Sequence, residues 1–374
     1  METKLHGWHA RAGARMADFG GWDMPIQYEG GPREEHLRVR GAAGLFDIDH
    51  MGRFEISGAG ALDFLQGIQT WDASRIAPGR AHYSMLCSES GGILDDIFLY
   101  RLSRSTNPRE YRGAWLMVVN ASNRSKDWEW LASHARGFDL VLRDRSDDTC
   151  MVALQGPAAR AILEPLCTGA DLAGFGHRRV AEVAIAGAAT LLCSTGYTGE
   201  PGYEMLLPAE GCEPLWSEIL AAGAAAGLIP CGLAARDSLR AEACLPLYGH
   251  EIDESIDPFS AGLARAAVCM EGHDFVGRQA LTEVSRAPLI RCLAGFEMIQ
   301  PGVPRHGYAI TKDGQAVGRV TTGLFSPSTG RYLAMGWIEA ECAKVGTQVD
   351  IVIRDFRKAA RVVERPFYTS PHWR

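Results

Sequence analysis

From about residue 287 to the C-terminus the chain stops making helices. Residues 315–321 (QAVGRVT) and 348–354 (QVDIVIR) alternate in side-chain character and are separated by Gly, Pro and Asp-Gly turns. Several such segments in succession, with almost no 3.6-residue periodicity between them, predict a small all-β barrel or sandwich. Upstream the texture is different. Residues 53–57 read as a strand that leads through Gly58-Ala59-Gly60 into a helix over 61–66. Residues 115–119 read as a buried strand, followed by Ser122 as a candidate N-cap and a helix with Trp128, Leu131 and Ala135 on one face. Residues 151–154 run into the turn Gln155-Gly156-Pro157, and Leu215, Trp216, Ile219 and Leu220 mark a later helix that closes near Gly227. Hairpins mixed with interspersed helices predict an α+β fold rather than a doubly wound sheet.

A chain of 374 residues has length for two or three domains at roughly 100–200 residues each. The change of texture divides it into residues 1–286 and 287–374. No repeat, low-complexity stretch or long linker separates the parts, so they pack against one another and sites are expected at the seams. The net charge of −7 opposes non-specific binding to nucleic acid or to a membrane surface, both of which draw on clustered Lys and Arg. No apolar run approaches the ~18 residues that cross a bilayer, and the N-terminus METKLHGWHARAGARM has no apolar core of a signal peptide. A cytoplasmic location is expected. The ten cysteines are scattered singly without a C-x-x-C and are expected to be reduced, mostly buried thiols. His6 and His9 share a helical spacing, but two ligands without a Cys/His cluster do not make a metal site, so no metal is expected.

The stretch GGILDDIFLY, residues 91–100, puts two adjacent carboxylates into a run otherwise built for burial. With HYSMLC upstream and a turn over 88–92, it reads as the second strand of a hairpin. Alternation sends Leu94, Asp96, Phe98 and Tyr100 to one face and Ile93, Asp95, Ile97 and Leu99 to the other. A carboxylate so flanked must be hydrogen-bonded, paired or neutral.

Two further stretches carry chemistry. STGYTGEPGYE, residues 194–204, joins three glycines, which let backbone approach a ligand, to Tyr197 and Tyr203 with their flat faces, and Glu204 then heads an apolar strand. CGLAARDSLRAEAC, residues 231–244, reads as a helix buried between layers. Arg236 and Arg240 lie four apart on it; Asp237 can meet Arg240, which leaves Arg236 for Glu204 or for a polar ligand. Taken alone, each stretch is equally a decorated loop or a structural ion-pair network. The fingerprints G-x-G-x-x-G, G-x-x-x-x-G-K-[ST] and G-x-S-x-G are absent, which leaves dinucleotide, nucleoside triphosphate and α/β-hydrolase chemistry unsupported.

Taken in order, these pieces resemble the glycine cleavage T-protein family. The resemblance runs nearly end to end: FGGWDMP at 19–25, LFDIDHMG at 45–52, GGILDD at 91–96, VVNA at 118–121, ALQGP at 153–157, TGYTGE at 195–200, residues 232–240, LYG at 247–249, SP at 326–327 and PFY at 366–368. No one of these is specific, whereas ten in register are. The resemblance implies three domains in a ring around a tetrahydrofolate site, with two mixed α/β subdomains in the N-terminal part and a C-terminal antiparallel β-barrel. It implies tetrahydrofolate as co-substrate and a lipoyl carrier, the H-protein, as partner and aminomethyl donor, the products being 5,10-methylenetetrahydrofolate, ammonia and the dihydrolipoyl carrier.

Carried over by position, the resemblance makes Asp96 the catalytic acid and Asp95 its structural neighbour. It places Tyr83, Tyr197, Glu204 and Arg236 along the pterin and its p-aminobenzoyl extension, with Met51 and Asn120 beside them. Arg305, Arg319, Arg331 and Arg354 are candidates for a basic patch toward an acidic carrier. One position departs: the family usually has Ser where Asp49 stands. That acid could cap a turn, or it could favour a cationic amine, which keeps open a folate-dependent demethylase of a small methylated amine or sulfonium compound. A non-catalytic folate-binding paralogue is the alternative of another class; it carries Lys-Gly-Cys-Tyr-x-Gly-Gln-Glu where this chain has residues 194–201.

Overall fold

The computed structural model describes residues 1–103 and 115–373. Two sheets form the first part. The smaller is five-stranded, in the order Arg80–Cys87, Ile93–Arg101, Trp115–Val119, Gly52–Ser57, Val141–Asp144. The larger is seven-stranded, in the order Cys167–Thr168, Val180–Ile185, Ala188–Cys193, Gly202–Pro208, Thr149–Gln155, Gly44–Asp47, Ile229–Cys231, and is antiparallel except where its last two strands pair in parallel. The two pack face to face through Phe46, Ile48, Tyr100, Leu116, Val118, Met151, Leu191 and Leu206.

Helices Ala61–Ile68 and Arg124–His134 cover the other face of the smaller sheet, where Phe64, Leu65 and Leu131 meet Ile97, Leu99 and Met117. The alternation read from the sequence is realised here: Ile97 and Leu99 face these helices, while Phe98 and Tyr100 face the larger sheet. The C-terminal part is a closed six-stranded antiparallel barrel, Arg291–Met298, Tyr332–Glu339, Gln315–Phe325, Ala309–Lys312, Gln348–Ile353, Phe356–Val363. It docks through Leu293, Met335 and Trp337 onto Met85, Ile93, Ile252 and Ile256. Helix Leu233–Glu242 ties the parts together. Its Arg240 reaches Thr322 of the barrel at 2.9 Å, and Glu242 accepts from Ser326 at 2.5 Å and from the Ser328 hydroxyl at 2.7 Å. No helix among the described residues is long and apolar enough to cross a membrane.

Strand Gly52–Ser57 extends the strand read over 53–57 by one residue and is buried on both faces, including a fully buried Arg53. Three expectations need correction. Cys150 and Cys212, 62 residues apart, form a disulfide, so the thiols are not all free. Helix Arg124–His134 begins after a short 3₁₀ turn that absorbs Ser122, and the residue before it is Asn123, which gives its amide to Asp95 rather than to the helix end. Tyr203 lies in the core on the far face of the larger sheet, because its neighbour Glu204 takes the inner face.

Candidate functional site

In the hairpin Tyr83 stands opposite Phe98 and Met85 opposite Asp96, which makes Tyr83 and Asp96 diagonal neighbours on one face. The Tyr83 hydroxyl donates to Asp96 Oδ2 at 3.0 Å. Asn120 follows strand Trp115–Val119, the neighbour of Ile93–Arg101, and its side-chain amide divides its two hydrogens between the acids: 2.7 Å to Asp96 Oδ1 and 2.9 Å to Asp95 Oδ1. Asp95 and Asp96 thus leave the strand on opposite faces yet meet the same amide. Asp95 also accepts from the Asn120 backbone at 2.9 Å and from Asn123 at 2.5 Å. Burial, and then the charge of Asp95, push Asp96 up to about 7, against the pull of Tyr83 and Asn120.

Glu204 approaches from the larger sheet. Its Oε2 accepts from Thr195 at 2.5 Å and from Tyr100 at 3.3 Å, and no described residue donates to its Oε1. Burial raises its pKa, opposed by the Thr195 hydrogen bond and by the charge of Arg236. Arg236 does not pair with it. Among the described residues Arg236 makes no ion pair or side-chain hydrogen bond; its guanidinium lies 4.7 Å from the centre of the Tyr197 ring, a cation–π arrangement. The Tyr197 hydroxyl donates to the Pro246 carbonyl, which leaves its ring to face Arg236. Asp96 is close enough to push the Tyr197 hydroxyl up, after burial. Met51 packs half-buried at the edge of the inter-sheet core. The seven positions singled out in the sequence therefore line one region where the two sheets and helix Leu233–Glu242 meet.

Arg240 pairs with Asp237 as its spacing suggests, Nε to Oδ1 at 2.8 Å, but its buried partner is Glu251 at 2.7 Å. Asp49, the departure from the family pattern, is buried in an ion pair with Arg53 at 2.9 Å and accepts from the Lys4 backbone at 3.0 Å. His50 is buried beside it and is pushed down to about 3, by burial first and then by Arg236, so its ring is neutral. His6 and His9 part company, the first to Asp23 and the second to Asp47 and Tyr28. Arg331 is engaged by Glu297 at 3.4 Å, which weakens it as part of a basic patch.

The residues missed from the sequence are Tyr100, Thr195, Asn123 and Asp127. Asp127 left a signal: it stands four positions before Leu131 and so belongs to the apolar stripe of its helix.

The fold agrees with what the chain is similar to. Residues 5–270 match the family described as the GCVT N-terminal domain, and residues 291–369 match the glycine cleavage T-protein C-terminal barrel domain. A Symbiobacterium thermophilum protein named aminomethyltransferase is 48% identical over 377 residues, covering 100% of this chain and 98% of the relative. One of the same name from Bacillus subtilis is 42% identical over 367 residues, covering 98% of each. The crystal structure of glycine cleavage system aminomethyltransferase T from Bartonella henselae superposes with a TM-score of 0.91 at 32% identity, covering 100% of this chain and 99% of that one.

Proposed function

The chain belongs to the glycine cleavage T-protein family and is an aminomethyltransferase, and from that premise we propose that it moves the one-carbon unit of an aminomethyl-lipoyl carrier, the H-protein, to tetrahydrofolate with release of ammonia. The observation that carries the reading is the trio of an acid near neutrality, a half-buried carboxylate with one oxygen that no described residue donates to, and a guanidinium without an ion pair or side-chain hydrogen bond among the described residues: Asp96, Glu204 and Arg236. That set suits a folate. The Glu204 carboxylate can accept paired N–H bonds from the amino-pyrimidine edge of a pterin, and Tyr197 with Arg236 offers a flat, cationic wall for the ring system.

Tetrahydrofolate supplies two nucleophilic nitrogens that end bonded to one methylene, while the carbon's bonds to the amine and to the lipoyl sulfur break. The two protons lost by those nitrogens balance the two gained by the departing ammonia and thiol. Asp96, half ionised near neutral pH, is suited to take a proton from a folate nitrogen and return it to a leaving group, and its anion opposes the positive charge that develops in between. Tyr83 and Asn120 hold its two oxygens so that the carboxylate does not rotate away.

Asp49 does not favour the demethylase alternative, because its carboxylate is engaged by Arg53 on one oxygen and by the Lys4 backbone on the other. The test is Asp96→Asn assayed with tetrahydrofolate and an aminomethyl-loaded lipoyl carrier. Turnover should fall roughly a hundredfold or more while folate affinity stays within a few-fold. Unchanged turnover would remove Asp96 from the chemistry.

A further inference from the structure

Helix Arg124–His134 turns an acid inward. Asp127 is 1% exposed, and neither of its carboxyl oxygens receives an N–H or a hydroxyl from a described residue. What it meets is Asp95, itself 0% exposed on strand Ile93–Arg101. Two carboxylates cannot stay in contact in a buried place while both are ionised; the contact requires a proton between them. The donors decide where it sits. Burial raises the Asp95 pKa, and against it stand the Asp127 contact and three N–H bonds, two from Asn120 and one from Asn123, each of which favours the anion. Asp127 has none of these. Burial and then the charge of Asp95 push Asp127 up to about 10, and Lys126 opposes this only weakly because its ammonium is turned to Leu94, Tyr248 and Glu254.

We propose that Asp127 is a positioning residue for the one-carbon transfer: as a neutral carboxylic acid it donates to Asp95, keeps Asp95 anionic, and so fixes the Asn120 amide that grips Asp96. The proposal rests on the reading that Asp96 handles the protons of the reaction. The Asp127 proton then has two consequences for Asp96. It orients the amide that donates to Asp96 at 2.7 Å, and it maintains the adjacent negative charge that holds Asp96 near neutrality. The other titratable groups facing the acids are Tyr83 from the neighbouring strand, Tyr197 from the loop after Ala188–Cys193, and Lys126, Tyr248 and Glu254 at the outer end. Both Tyr83 and Tyr197 are pushed up by burial and stay neutral across the working range.

The experiment compares Asp127→Asn with Asp127→Ala on the full chain, by the pH dependence of single-turnover transfer and by infrared spectroscopy. The amide of the Asn variant replaces the O–H donor, so its acid limb should stay in place and its rate within a few-fold. In the Ala variant Asp95 lacks that donor and takes a proton itself. Asp96 then loses its charged neighbour, and the limb should move about one pH unit downward with a plateau roughly tenfold lower. Equal rate losses in both variants with no displacement of the limb would reduce Asp127 to a packing residue and overturn the proposal. The infrared arm needs no turnover. Above the Asp96 limb the native protein should retain a carboxylic acid C=O band that Asp127→Asn removes; a band that persists in that variant would put the proton elsewhere and overturn it too. Should Asp96→Asn leave turnover intact, the functional reading fails, while the infrared result still reports on the Asp95–Asp127 pair.

Discussion

Replacing Tyr83 by Phe removes one of the two side-chain donors on Asp96 and keeps the ring that packs 6.1 Å from Phe98. Burial and the charge of Asp95 remain, and both disfavour the anion. A hydrogen bond to a charged group is worth about 1.5–3 kcal/mol, and about 1.4 kcal/mol corresponds to one pH unit, so the Asp96 limb should rise by roughly one to two units. The sign follows from the chemistry: the ionised form accepts the proton, so activity is lost as pH falls through the pKa, and a higher pKa moves that loss to higher pH. With the native limb at about 7 and the variant's near 8.5, the ionised fraction at pH 7.5 falls from about three quarters to about one tenth. Turnover should drop roughly eightfold there and recover as the pH is raised toward ~9.5. The assay is single-turnover methylene transfer from a loaded lipoyl carrier at saturating tetrahydrofolate, in overlapping buffers, which isolates the chemical step from carrier release. A loss of equal size at every pH, or a limb that moves downward, would refute the assignment of Tyr83 as a donor that holds the Asp96 anion.

Two further outcomes follow from the same geometry. Glu204→Gln keeps the shape but replaces an acceptor with a donor at the free Oε1 position, and should raise the tetrahydrofolate dissociation constant at least several-fold by calorimetry; an unchanged constant would return Glu204 to the sheet as a structural acid. Asp49→Asn leaves Arg53 buried without its counter-charge and should lower stability in urea by about 3 kcal/mol, with the native donor still used; a change in donor preference at native stability would revive a substrate-selecting role.

The inward and outward faces of GGILDDIFLY were legible because strand alternation is local: one reading of parity sends Asp96 toward the larger sheet and Asp95 toward the helices. Helix Leu233–Glu242 and the barrel were legible for the same reason, a periodicity carried by consecutive residues. What escaped is what depends on a second segment. Nothing near Arg240 points to Glu251, nothing near Cys150 points to Cys212, and Asp127, though its spacing from Leu131 puts it on the inward stripe, has no visible partner until the sheet places Asp95 beneath it. Arg236 is the converse case. Its spacing offered Glu204 as a partner, but Thr195 and Tyr100 reach that carboxylate first, and the guanidinium is left to the Tyr197 face.

The Asp49 position shows why a departure from a family pattern cannot be assigned from its neighbours in sequence. It stands beside His50 and Met51, two residues near the candidate site, and an added carboxylate there suggests an attraction for a cationic amine. The fold sends it the other way. Arg53, buried in strand Gly52–Ser57, donates to the carbonyls of Asp49 and Met51 at 2.8 Å each and to Thr149 Oγ1 at 3.0 Å, but these neutral acceptors leave its charge unbalanced. Asp49 Oδ1 at 2.9 Å supplies the balance, and the Lys4 backbone holds the other oxygen. A buried guanidinium without a counter-charge is more costly than an ordinary turn without a cap, so this pairing accounts for Asp49 without a ligand. The acids left facing the region where the two sheets and helix Leu233–Glu242 meet are Asp96 and Glu204, with the Arg236 charge acting on Glu204. On the proposed reading that arrangement suits a folate edge and a single proton-handling acid, and it leaves Asp49 no part in recognising an amine.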